Sequence, residues 1–71
     1  MLGEQEAVAL EVRPFDIHGV KHVDVTLGYA GGSAETARLG SESVPEDLTA
    51  GEQVLVVKAM NVVIEIRRAG R

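Results

Sequence analysis

The chain has 71 residues, no cysteine, two aromatic residues (Phe15 and Tyr29) and a formal charge of −4 at neutral pH. That length allows one domain, and the missing cysteine removes disulfides and thiolate metal sites. The acidic balance argues against a generic nucleic-acid surface, because phosphate binding relies on clustered Lys and Arg.

A domain this small buries only about 60% of the surface its unfolded chain exposes, so its core is marginal and assembled here from Val, Leu, Ile and Ala. Chains of this size usually add a staple or a partner subunit, and with no disulfide in reach the expected reinforcement is self-association. The charge is uneven. Glu4, Glu6, Glu11 and Asp16 outnumber Arg13 at the start, while Lys58, Arg67, Arg68 and Arg71 outnumber Glu65 at the end. Residues 1–6 lack a basic stretch followed by an apolar one, and no apolar run reaches the roughly 18 residues that span a bilayer. The expected location is cytoplasmic.

Residues 7–13, Ala-Val-Ala-Leu-Glu-Val-Arg, alternate at Val8, Leu10 and Val12 and read as a half-buried strand. Pro14, which donates no N–H, is expected to end it, with residues 15–19 forming a turn at Gly19. Residues 20–29 give the clearest strand. Val23, Val25, Leu27 and Tyr29 share one face, and His22, Asp24 and Thr26 share the other. Gly31-Gly32 marks a hairpin into a weaker strand at residues 34–39, best placed at an edge. Residues 40–51 form the long connection, with one helical turn predicted over 43–48 and Val44 and Leu48 plugging the core.

The fourth strand, residues 53–59, is apolar on both faces from Val54 to Val57, so something other than the core must cover one face. A partner subunit is the most economical cover. Met60 and Asn61 form a tight turn, and residues 62–68 return with Val62, Ile64 and Ile66 expected inward. Five short strands without a real helix predict an all-β fold: a small five-stranded antiparallel barrel, OB-like or SH3-like, with at most one short helical turn.

Val25-Thr26-Leu27, Gly31-Gly32, Glu42-Ser43-Val44, Leu48, Gly51-Glu52, Val56-Val57-Lys58-Ala59 and Val62-Val63-Ile64 together resemble the TOBE family, which includes the Mop-type molybdate-binding proteins. The resemblance covers roughly residues 20–66 and implies an OB-type domain holding an oxyanion between subunits. It implies ligand-binding roles for Lys58 and Ala59, and for Arg13 from the first strand. A lysine makes charge-assisted bonds to an oxyanion. A looser echo of small OB-like hydrogenase maturation chaperones runs through Val44-Pro45 and Val54-Leu55-Val56, but those begin with a cysteine that this chain lacks.

Other candidates read as structural. His18, His22, Asp16 and Asp24 cluster in sequence, but their spacing crosses a turn and matches no tight zinc pattern, so no metal is expected. Ser33, Ser41 and Ser43 lack a base-plus-orienter pattern, so no enzyme and no cofactor are expected. The expected function is a non-enzymatic, homo-oligomeric binding module for a small anion or a protein partner. The alternative is an OB-type nucleic-acid or ribonucleoprotein accessory domain using Lys58, Arg67, Arg68 and Arg71. It is weakened because Tyr29 should face inward and Phe15 should lie in a turn, which leaves no stacking platform.

Overall fold

The computed structural model describes residues 2–69, and the domain is all-β. Its elements are β1 (Leu2–Ile17), β2 (Val20–Gly28), β3 (Ala34–Gly40), a single 3-10 turn (Ser41–Ser43), β4 (Gln53–Ala59) and β5 (Val62–Arg68). All strand pairs are antiparallel and the sheet order is β3-β2-β1-β4-β5. The sheet curls so that β3 and β5, its two edges, approach each other without a backbone ladder between them. The five-stranded antiparallel expectation is met, and the closure of a barrel by hydrogen bonds is not. Among the described residues no helix is long and apolar enough to cross a membrane.

The first strand is far longer than the alternation predicted, because it serves two neighbours in turn. Residues 2–8 pair with β4, and residues 8–17 pair with β2. Leu10 is the extra residue of a β-bulge between Ala9 and Glu11, and a bulge bends a strand and raises its twist. Up to the bulge the inward positions of this strand are Ala7 and Ala9, not Val8 and Leu10 as the alternation predicted, while beyond it Val12 packs against the core as expected. Small side chains at the bend let the sheet curl tightly on itself.

Pro14 does not end β1. Ile17 and Val20 flank a two-residue turn in which His18 (φ 51°) and Gly19 (φ 80°) are both left-handed, the signature of a type I′ hairpin. Counting back from that hydrogen-bonded pair, Phe15 and Arg13 direct their backbone groups at β2, and Pro14 directs its nitrogen away. No strand lies there, so the missing N–H costs nothing.

The core is built from Ala7, Ala9, Val25, Leu27, Ala37, Leu48, Val54, Val56 and Ile66, with Val44 packed against it. Val44 and Leu48 plug the core as predicted, although the helical turn lies two residues earlier than expected, at Ser41–Ser43. The rest of the connection is two tight turns. Leu48 N–H donates to the Pro45 carbonyl across Asp47 (φ 61°), and Glu52 N–H donates to the Thr49 carbonyl across Gly51 (φ 96°). In β5 the predicted facing is corrected by a second bulge, between Val57 and Lys58 of β4, at which Ile64 is the unpaired residue. Val63 and Ile66 pack inward, while Val62 and Ile64 are exposed.

Candidate functional site

Lys58 lies on the inner side of β4, opposite Gly3 of β1 and Val63 of β5, at one mouth of the curled sheet. Its Nζ is 2.9 Å from Glu35 Oε2 on β3 and 5.0 Å from the centre of the Tyr29 ring. The Tyr29 hydroxyl donates to the same carboxylate oxygen at 2.5 Å. That hydroxyl and the lysine hold Glu35 below the usual carboxylate range, while burial and then the carboxylate push the Tyr29 phenol up. The ammonium is therefore already matched by an anion of its own chain. A shallow groove lined by Gly3, Gln5, Lys58, Met60 and Asn61 runs past it.

The three residues expected to bind a ligand are not brought together within one chain. Ala59 follows Lys58 in an unbroken strand, so its side chain points to the opposite face. Arg13 lies toward the other end of β1, opposite Asp24, with its Nε 3.9 Å from Glu11 Oε2.

Phe15 is placed mid-strand, not in a turn. The Arg38 guanidinium lies 4.5 Å from the centre of its ring, and His22 meets it edge-on with ring centres 5.7 Å apart. Arg38 also makes a two-pronged contact with Asp24, Nε to Oδ1 at 3.0 Å and Nη2 to Oδ2 at 3.2 Å, which holds Asp24 below its ordinary value. This aromatic is half-buried, with Arg38 and His22 of its own chain against its ring. Among the described residues no three His, Asp or Glu side chains gather in a way that could hold a metal ion.

The basic residues at the end of the chain are likewise engaged. Arg68 bonds Glu52 at 2.9 Å, and Glu52 also accepts from the Thr49 amide and hydroxyl. These bonds bring its carboxyl down to about 2. Arg67 contacts Glu65 at 3.3 Å and Glu4 at 3.9 Å. Arg71 lies outside the described residues.

Among the described residues, the outer face of β4 is an apolar surface left open at this end of the sheet. The register places Leu2, Ala59 and Val62 in one row across β1, β4 and β5. Glu4, Val57 and Glu65 form the next row, and Glu6, Leu55 and Arg67 the third. Val57 is already 6% exposed, screened by its neighbours, so the expectation that this face needs an outside cover fails at that residue. Beside the far end of β4, large apolar side chains of β1, of β5 and of the β4–β5 turn are exposed. Leu2 is 69% exposed, Val62 62%, Ile64 41% and Met60, in the adjoining turn, 83%.

Sequence reading missed Leu2 and Ile64 for this patch. Leu2 lies before the alternating run, and Ile64 was assigned inward because alternation carries no mark of a bulge. Glu35, in the weaker strand expected over residues 34–39, carried no role in the sequence reading.

Comparison with family models, with curated proteins and with solved structures finds no match to this chain.

Proposed function

We propose that this protein is a non-enzymatic binding module, a sheet curled toward an OB-like or SH3-like barrel, that works as a homo-oligomer and docks a protein partner. The observation that carries the reading is the outer face of β4, where Leu2, Val62, Ile64 and Met60 extend the apolar line of Leu55, Val57 and Ala59 into solvent. Monomeric domains rarely leave a contiguous apolar face of this kind open. Fully burying one such side chain contributes about 1.5–3 kcal/mol. Eight partly exposed side chains from two protomers contribute on the order of 10 kcal/mol. Association itself costs about 4–15 kcal/mol, so the oligomer is expected to be reversible and dependent on concentration.

A small anion is the other ligand class. It would compete with Glu35 for Lys58, which favours the protein-docking reading.

The test is solution mass by light scattering over a concentration series, with and without molybdate, tungstate, sulfate and phosphate. Val62→Lys, at an exposed site, should leave the fold intact and shift the mass toward the monomer. A wild-type monomer at all concentrations overturns the oligomer. A rise in thermal stability with one oxyanion, lost in Lys58→Met, would put the anion in place of the protein partner.

A further inference from the structure

We infer that Met60 is a peroxide-reactive modification site, and that its sulfoxide weakens the apolar face beside β4 while leaving the fold intact. The first half stands on the turn alone. The second rests on the binding face proposed above and adds its regulation. Among the described residues Met60 is the only methionine, and the chain has neither cysteine nor tryptophan. Its side chain is 83% exposed, the most open of the large apolar residues described. Oxidation of sulfur follows access, so peroxide arriving from solvent meets this thioether first.

Met60 and Asn61 are the two central residues of the β4–β5 hairpin, between Ala59 and its pairing partner Val62. Both are left-handed, with φ of 51° and 68°, as a type I′ turn demands. Such turns favour Asn followed by Gly, because a side chain in the left-handed region crowds the backbone. Neither the turn nor the core calls for a methionine at this position. Met60 instead forms one side of the shallow groove shared with Leu2 and Lys58, next to the exposed Val62. A side chain that its turn disfavours and its core does not use acts outside the fold.

Hydrogen peroxide supplies the oxygen. A sulfur lone pair attacks one peroxide oxygen, and the S–O bond forms as the O–O bond breaks. The departing hydroxide takes up the remaining proton as water, so sulfur loses an electron pair and peroxide gains it. The flexible apolar thioether becomes a polar sulfoxide, a change that disrupts surfaces lined by methionine and that sulfoxide reductases reverse. Met60 lies outside the core, so the added oxygen meets water rather than packed side chains. The fold keeps its stability and the face loses apolar surface.

The experiment treats the full chain with hydrogen peroxide and uses peptide mass mapping to follow Met60 apart from Met1. Met60 should gain one oxygen at a rate within about threefold of that of N-acetylmethionine amide. The thermal midpoint should stay unchanged and retention on a hydrophobic-interaction column should fall. The dissociation constant of the oligomer should rise about threefold or more, and a sulfoxide reductase should restore it together with the retention. Met60→Leu should resist peroxide and keep its retention, whereas Met60→Gln should reproduce the oxidised behaviour without peroxide. Oxidation more than about tenfold slower than that of the free amide overturns the site. A lowered midpoint overturns the sparing of the fold. Unchanged retention and unchanged mass in the oxidised protein overturn the regulation and leave the binding face standing. A wild type that is monomeric throughout overturns the self-association, and retention, which a monomer also shows, then decides the inference.

Discussion

Lys58 on β4 and Glu35 on β3 lie 2.9 Å apart, and they join two parts of the sheet that no backbone hydrogen bond joins. Their strands are separated in the sheet by β1 and β2, so the ion pair spans the open seam of the curl. Tyr29, just past the end of β2, supports the pair from below with its ring and from the side with its hydroxyl. A lysine read from sequence as a ligand is in this fold a clasp.

That arrangement makes the seam sensitive to acid. The carboxyl of Glu35 is held low by Tyr29 and Lys58, and that of Glu52 is held at about 2 by Arg68 and the Thr49 amide. A carboxyl whose folded pKa is depressed contributes stability above its unfolded value, near 4.3, and loses it as pH falls toward the folded one. The thermal midpoint of the wild type should therefore be level from pH 7 to about 5 and fall between about 4.5 and 2. Glu35→Gln and Glu52→Gln should each flatten that fall while lowering the midpoint at pH 7. Both side chains of the clasp are partly exposed, so Lys58→Met should cost at most about 1 kcal/mol at pH 7. Circular dichroism melts across pH check all three. An acid limb unchanged in both glutamine variants would rule these carboxylates out as its source.

Gly28 and Leu10 are a second coupled pair. A Cβ built on Gly28 would lie 2.9 Å from Leu10 Cδ1 and 3.1 Å from its Cγ, so the bulged leucine rests on the bare backbone of β2. Gly28→Ala has to push that side chain aside, at an overpacking cost of about 1 kcal/mol because Leu10 is half in solvent and able to move. In a Leu10→Ala background the same change should cost nothing or stabilise, since alanine suits a strand better than glycine. Urea denaturation of the four proteins gives the coupling directly. Additive effects would mean that Leu10 does not seat on Gly28.

The sequence made the strands legible and the bulges invisible. Val23, Val25 and Leu27 alternate strictly, and β2 has the faces its pattern announces. The apolar stretch from Val54 to Val57 likewise announced a two-sided strand. Periodicity assumes an unbroken count of two, whereas Leu10 and Ile64 each add one residue and invert everything beyond them. That is why Val62 was assigned to the core and is exposed. The role of Lys58 was not legible for a different reason. Glu35 meets Lys58 only through the order of the strands, about which local pattern carries no information, whereas Glu11 lies two residues from Arg13 on the same face of β1.

Pro14 is the point at which the fold protects itself. The outer edge of β1 beyond Ala9 has no neighbouring strand, and eight residues of open backbone would template pairing with another chain. Proline directs its nitrogen at that edge and removes one donor from the ladder a foreign strand would need. Pro14→Val should therefore leave the fold and its thermal midpoint nearly unchanged, since no native hydrogen bond is lost or gained. Its effect should appear as faster, concentration-dependent aggregation at neutral pH, followed by thioflavin fluorescence and light scattering together. Pro14→Lys, which restores the N–H but adds charge to the same edge, should remain dispersed. If Pro14→Val aggregates no faster than wild type, the edge is guarded by the residues 44–52 connection packed beside it, and the proline serves only to stiffen the strand.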